Sequence, residues 1–471
     1  MEQKIDEEDK YKKLIRNKIS FLLISFYSGL CAISDIGVKY YFKDKKKVDT
    51  AMLSKILLLF KIPYLLKPLY GLLLDFFPLC GYKKKYYLYL CFFMSIISWY
   101  IFIFIISNNE SLYSSIICQL FIHISLSFTT VIGSAIQVEI SKMYDNSRNN
   151  IGEKATELMS THFIVKSIGT LIPSYLKGFL IEKYTNNIIF YISGLISFFI
   201  FTSAIILDDD RIKKHKKAKN KKKIKFSPLI EEEVNSNENK ITQIINLIKD
   251  KNILILLSLI FVLESSPSCV SPLFYYETNI LGLNPRNLSL IDFFCQISII
   301  IVIIIYQKFC LKLNFKCITF FVRISLFIIF YLIYMLIMKI TQEYISDLYL
   351  VTFTSSLHEG LHSLGKLPYS LLAIQFSPLT LEATTYSLCI FSCYLGNIFA
   401  DYIDSFLAIY FNVTHYNFDN LGILVLIENI FNLIPLLYTL AIPNKFFPEI
   451  RTKSKDSSTK ELIEIERNDQ N

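Results

Sequence analysis

The motif with the most specific chemistry in this 471-residue sequence is His358-Glu359-Gly360-Leu361-His362. On a helix, two histidines four apart share a face and can hold Zn²⁺, with the glutamate as general base of an intramembrane metalloprotease. A catalytic zinc needs a third protein ligand, and no other acid stands in a recognisable ligand motif. The competing reading is a polar strip that lines a cavity or bonds between helices. Other ionisable residues stand inside apolar runs: Asp35, Lys39, Lys61, Lys67, Glu139, Lys166, Glu264, Arg323, Lys366, Glu382 and Asp401. Placing such a group mid-membrane costs roughly 2.5–3.5 kcal/mol on insertion scales, so each is expected to face a cavity, a partner or a bound solute. Asp35 and Lys39 are one helical turn apart and can pair. Lys61 and Lys67 flank Pro63 and Pro68 and can extend toward an interface. Glu139, Lys166, Glu264 and Arg323 lack a local partner, which leaves solute contact or interhelical pairing. Phosphate loops, nucleophile elbows and ATPase motifs are absent, so uphill movement of a solute would draw on an ion gradient. Asp35 and Glu264 are the natural proton acceptors. Neither a catalytic residue nor a cofactor is predicted.

The elements that must position these groups are apolar helices. Hydrophobic residues make up 53% of the chain and charged ones 19%, below the ~25% charge of soluble chains. Runs of roughly 20 apolar residues recur, each long enough to cross a ~30 Å hydrocarbon layer. In lipid their backbones must satisfy themselves, which makes them helices. Twelve spans are predicted, at about 19–41, 52–76, 86–106, 112–140, 155–182, 188–207, 252–276, 287–307, 317–338, 345–372, 379–411 and 421–442. Ten Lys and Arg crowd the stretch Arg211–Lys225, between three aspartates (Asp208–Asp210) and three glutamates (Glu231–Glu233). Such a segment cannot bury enough apolar area to fold alone. The predicted organisation is a tail (1–18), a six-helix bundle (19–207), a basic linker (208–250), a second six-helix bundle (251–442) and a tail (443–471).

The net charge of +9 reflects loops and not a nucleic-acid surface. Lys10–Lys18, Lys83–Lys85, Lys142–Lys154, the linker and Lys308–Lys316 all fall on one side, which the positive-inside rule makes cytoplasmic together with both termini. Lys43–Lys47 is the exception, partly offset by Asp44 and Asp49. Asn109-Glu110-Ser111 and Asn412-Val413-Thr414, both potential glycosylation sequons, fall on the other side. The charged first 18 residues and the long first apolar run predict no cleavable signal peptide. The ten cysteines have no paired spacing and are expected to act as small buried hydrophobes. A plasma membrane is the expected location, with an organelle membrane as the alternative.

One stretch is family-specific: Lys67-Pro68-Leu69-Tyr70-Gly71-Leu72-Leu73-Leu74-Asp75-Phe76-Phe77-Pro78-Leu79-Cys80-Gly81-Tyr82-Lys83-Lys84-Lys85. It resembles the folate–biopterin transporter family, a branch of the major facilitator superfamily. Lys166–Gly178, Phe274–Pro285, Leu367-Pro368 and Ser377–Thr384 are similar to further family segments. The resemblance implies a twelve-helix major facilitator fold of two six-helix bundles. It also implies a mid-membrane solute site exposed alternately to each side, and folate or pterin-like anions as cargo with protons as coupling ion. Within it Gly71 permits close helix approach, and Asp75 with Lys83 and Lys84 forms a charge latch. Asp35, Glu139 or Glu264 would accept the paired donors of a pterin edge. Lys166 and Arg323 would hold an anionic tail. Glu382 begins span 11 in the family's P-x-x-x-E-A-T pattern. The chain departs from the family at Ser134, usually Asp, and at Lys166, usually Arg. Those departures keep a second reading open, the same fold carrying an amino acid, a nucleoside or a cofactor precursor.

Overall fold

The computed structural model describes residues 2–48, 50–108, 111–143, 151–183, 186–209, 249–310, 313–341, 343–377, 381–414, 416–443 and 446. Most of the basic linker and of the C-terminal tail lies outside these residues. Helices account for nearly all of the described chain, and they fall into twelve membrane-length segments, called spans 1 to 12 below.

Several spans are interrupted, and the sequence supplies the reason. Span 1 (Glu2–Leu30, Ala32–Tyr40) runs into a π-helical turn at Tyr41–Lys45. Span 2 divides into Thr50–Leu59, Ile62–Leu65 and Lys67–Phe76. Pro63 and Pro68 are the second residues of its second and third pieces, in the first turn, where a missing amide is tolerated but the preceding turn cannot continue. Span 7 is broken more deeply: Lys251–Glu264 and Val270–Asn279 are separated by Ser265–Cys269, which holds Pro267 and a left-handed Cys269 (φ 52°). Span 12 (Leu421–Phe431, Ile434–Ala441) is offset at Pro435. Spans 3 (Lys85–Ser107), 4 (Leu112–Met143), 5 (Ile151–Lys183), 9 (Phe315–Ile337), 10 (Asp347–Gln375) and 11 (Glu382–Tyr410) are continuous. Span 6 (Asn186–Ile196, Phe198–Ile206) kinks at Ser197, and span 8 (Pro285–Ile305) ends in a second π turn.

Phe93, Ile97, Tyr100 and Phe104 of span 3 are exposed. Their spacing of three to four residues puts them on one stripe of the helix, a surface suited to lipid and not to water. Eight spans are long and apolar enough to cross a membrane; spans 5, 7, 10 and 11 are the remaining four. Span 7 falls short because it is broken. Spans 5, 10 and 11 are long enough, and it is their polar and charged residues that set them apart. Apolar clusters organise each half separately. Spans 1 to 4 and 6 share the packing of Phe21, Leu74, Leu88, Ile132 and Ile200, while spans 7, 9, 11 and 12 share Cys269, Phe330, Leu407 and Leu424. A third cluster joins the halves, bringing Val138 and Met159 against Leu256, Ile374, Cys389 and Ile442. Cys80 and Cys317 are exposed, so the expectation of buried cysteines holds only for part of the set.

Candidate solute pathway between the two halves

These six residues of the joining cluster stand toward the ends of their spans on the side that the lysine count makes cytoplasmic. That side, called the inner face below, is closed by this cluster. Span 2 meets span 11 there: Asp75 accepts hydrogen bonds from the Thr384 amide (2.8 Å) and hydroxyl (2.6 Å). The acid thereby satisfies an amide at the start of span 11 that no helical carbonyl can reach. Gly71, one turn earlier, lies so close that a Cβ would come within 2.7 Å of the Ala383 carbonyl oxygen. Lys83 is an electrostatic neighbour of Asp75. Lys84 instead forms an ion pair with Glu139 inside the first half, and its amide donates to Asp209 at 2.6 Å.

On the opposite, outer side a cavity of about 1100 Å³ opens between the halves. The first half contributes Asp35, Lys39, Lys61 and Tyr64, and the second contributes Tyr275, Asp401 and Asp404. Its rim reaches Lys55, Val413 and Thr414, beside the loops that follow spans 1 and 11. Asp35 is exposed to this space. Two ion pairs tie the halves together around it, Lys61 to Asp401 and Lys177 to Asp292. At the cavity floor Tyr64 of span 2 stacks on Tyr394 of span 11, centroids 4.9 Å apart. The Lys67 ammonium lies 4.9 Å from the Tyr394 ring centre and 5.4 Å from that of Tyr64, within the range of a cation–π contact.

Below the tyrosine pair the charge becomes unequal. Lys67, Lys166 and Lys366 are electrostatic neighbours in sequence from span 2 through span 5 to span 10, and Lys366 in turn neighbours two carboxylates, Glu264 and Glu359. Glu264 is 5% exposed and accepts a hydrogen bond from Tyr369 Oη at 2.7 Å. Its other oxygen lies 3.6 Å from both Lys366 Nζ and His362 Nε2. Arg323 donates to the Leu263 carbonyl and, at 3.3 Å, to Ser266 Oγ, so the guanidinium meets polar groups left open by the break in span 7. Span 5 reaches this level because Gly169 lets it approach span 1, where a Cβ would stand 2.6 Å from the Phe26 carbonyl oxygen.

A profile of the BT1 family matches residues 28–461. The chain belongs to the BT1 family. Among relatives of this BT1 protein, folate transporter 1 of Plasmodium falciparum (isolate 3D7) is 29% identical, covering 93% of this chain and 82% of that one. The folate-biopterin transporter of Synechocystis sp. is 25% identical, covering 93% and 83%. A solved structure of the nucleoside transporter NupG, carrying a point mutation, superposes with a TM-score of 0.60 over 90% of this chain and 99% of its own, at 12% identity. The fold of this BT1 protein is the major facilitator fold, and the protein is a multi-pass integral membrane protein.

Within that frame the site residues singled out from the sequence divide. Asp35 faces the cavity; Lys166, Glu264 and Arg323 lie below it. Glu139 is apart from both, held by Lys84 near the inner face. The latch is also split, because Asp75 and Gly71 bridge the halves whereas Lys84 does not. The side chain of Glu382 lies outside the described residues. His358 and His362 do stack, 6.1 Å apart, but among the described residues no group of three or more His, Cys, Asp or Glu is arranged to hold a metal. His362 is turned to Glu264 instead. Ser134, where the family usually has Asp, donates to the Thr130 carbonyl of its own helix at 2.9 Å. The sequence reading passed over Lys177, Asp292, Asp404 and Glu428, although each is an ionisable residue in an apolar run and the same rule points to all four. The Tyr64–Tyr394 pair had no such signal, since tyrosines are abundant throughout this chain.

Proposed function

We propose that this BT1 protein is a secondary transporter that moves folate or pterin-like organic anions by alternating access, driven by protons. The observation that carries the reading is the arrangement of one cavity between two halves, closed at the inner face, with Lys67, Lys166, Lys366 and Arg323 outnumbering Glu264 and Glu359 beneath it. An anion entering from the outer face meets Lys39, Lys55 and Lys61 balanced by Asp35, Asp401 and Asp404, then an aromatic floor, then excess positive charge. A pterin ring stacks on an aromatic face such as Tyr64 and offers adjacent N–H donors to a carboxylate. Asp35 is the free carboxylate for that role, because Glu139 is taken by Lys84 and Glu264 by Lys366. Lys67 and Lys166 take the glutamate tail once the tyrosine pair parts.

The names of the curated relatives support folate as cargo, the basic loops favour cytoplasmic termini, and the plasma membrane is the proposed location with an organelle membrane as the alternative. Uptake of labelled folate into transport-deficient cells tests the proposal. Uptake that saturates and rises as the outside is acidified is expected; surface-expressed protein with no folate uptake at any pH refutes it. The replacements at Ser134 and Lys166 favour a second reading, a different small solute on the same pathway. A thermal-shift screen against a metabolite panel separates the two, with folate-only stabilisation excluding the second.

A further inference from the structure

Glu428 in span 12 is fully buried, and neither of its carboxylate oxygens has a well-formed hydrogen bond, the amide and thiol of Cys269 being the donors beside it. Its neighbour across the interface is another acid, Asp404 of span 11, whose carboxyl lies within hydrogen-bonding reach. Asp404 already accepts from the amides of Ser268 (3.2 Å) and Cys269 (3.4 Å) in the break of span 7. Among the described residues neither acid takes part in a salt bridge. The titratable groups facing the pair are Cys269 at the break of span 7 and Asp401 from span 11, while Tyr276 and Tyr334 belong to the apolar cluster beside Cys269. Asp401 itself holds the Lys61 ammonium.

Two adjoining carboxylates in a dry site cannot both be ionised, and an unmet carboxylate oxygen there costs several kcal/mol. Cys269 does not meet the deficit, because its amide is shared with Asp404 and its thiol is a weak donor. One proton resolves both problems: it neutralises one acid and provides the missing hydrogen bond between them. The geometry points to the Asp404–Glu428 pair as a proton-binding site, loaded from the cavity, through which this transporter is coupled to a proton gradient. Asp404 lines the cavity and is 8% exposed, so it is the entry point; Glu428, at 0%, is the sheltered partner. The site also has a mechanical connection to the charged chamber. The break of span 7 is held at its beginning by Arg323, on the Leu263 carbonyl and Ser266, and at its end by Asp404. Proton arrival weakens the grip of Asp404 on those amides and thereby alters the segment that carries Arg323 beside Glu264.

This inference rests on the transport role proposed above, so its test has an arm that needs no solute. Full-length protein in lipid vesicles is studied by infrared difference spectroscopy across a pH step, without folate. The expected result is a protonated-carboxyl band in the wild type that Glu428→Gln abolishes; an unchanged band in that variant overturns the proposal. The second arm uses tritiated folate with membrane potential clamped. A gradient of one pH unit supports at most about ten-fold accumulation per coupled proton, and Glu428→Gln is expected to lose that accumulation while keeping folate counterflow. Gradient-driven accumulation that persists in the variant overturns the assignment. Should Glu428→Gln fail to fold, Asp404→Asn is read by the infrared criterion alone, because Asp404 also lines the solute cavity. A wild type that moves no folate in either mode defeats the folate reading alone, and the infrared band still decides the acid pair.

Discussion

Replacing Asp75 by Ala removes both hydrogen bonds that this carboxylate accepts from Thr384, at 2.8 and 2.6 Å. A hydrogen bond to a charged group contributes about 1.5–3 kcal/mol, and the loss of a capping acid about 0.5–2 kcal/mol. The two bonds share one carboxylate and do not add fully, so a net loss of about 2–3 kcal/mol is a reasonable sum. The bonds join span 2 to span 11 at the inner face and must break when that face opens. The entire loss therefore falls on the form described here, and the equilibrium toward an inner-open form shifts roughly 30- to 150-fold. Thiol labelling reads that shift. Cys31 lines the outer cavity, and a cysteine at Met159, sealed in the joining cluster, reports the opposite form. In single-cysteine backgrounds the ratio of their labelling rates is expected to move toward Met159→Cys by that factor. Thr384→Val keeps the bond to the amide and is expected to show a smaller shift in the same direction. An unchanged ratio in Asp75→Ala, or movement toward Cys31, would refute the assignment of this contact as the inner clasp.

Gly71→Ala removes the conformational cost of a helical glycine, worth about 1 kcal/mol, but sets a Cβ 2.7 Å from the Ala383 carbonyl oxygen. We expect a variant that expresses normally and labels like Asp75→Ala, and outer-form labelling at the wild-type rate would contradict the close approach. Lys166→Gln removes one of the three lysines below the tyrosine floor. If that charge holds an anionic tail, the KM for folate rises roughly ten-fold, the equivalent of about 1.4 kcal/mol, with a much smaller change for an uncharged pterin lacking the tail; equal effects on both would sink the role.

The parts of this architecture that depend on hydrophobic length were readable in the sequence. Twenty apolar residues have only one way to satisfy their backbone in lipid, so the spans follow from composition, and the prolines at 63, 68 and 435 mark breaks. The presence of buried ionisable groups was equally readable, because their cost is local. Their partners were not. Asp35 has Lys39 as an electrostatic neighbour, as the helical spacing suggests, but also Lys177 of span 5 and Asp292 of span 8. Glu139 is five residues from Ser134, where the family usually has Asp, yet it pairs with Lys84, 55 residues earlier. Pairings such as Lys61 with Asp401 and Lys177 with Asp292 join residues from opposite halves. No local periodicity encodes them, since they depend on how two bundles meet.

The pairing of Lys177 with Asp292 bears on how the protein is made. Span 5 carries its lysine into the membrane well before span 8, with the matching aspartate, has left the ribosome. Spans 10 and 11 are likewise too polar to partition into lipid unaided. A fragment ending at the linker would strand Lys177 without its counter-ion, so the first bundle should be poorly retained in membranes until the second is synthesised beside it.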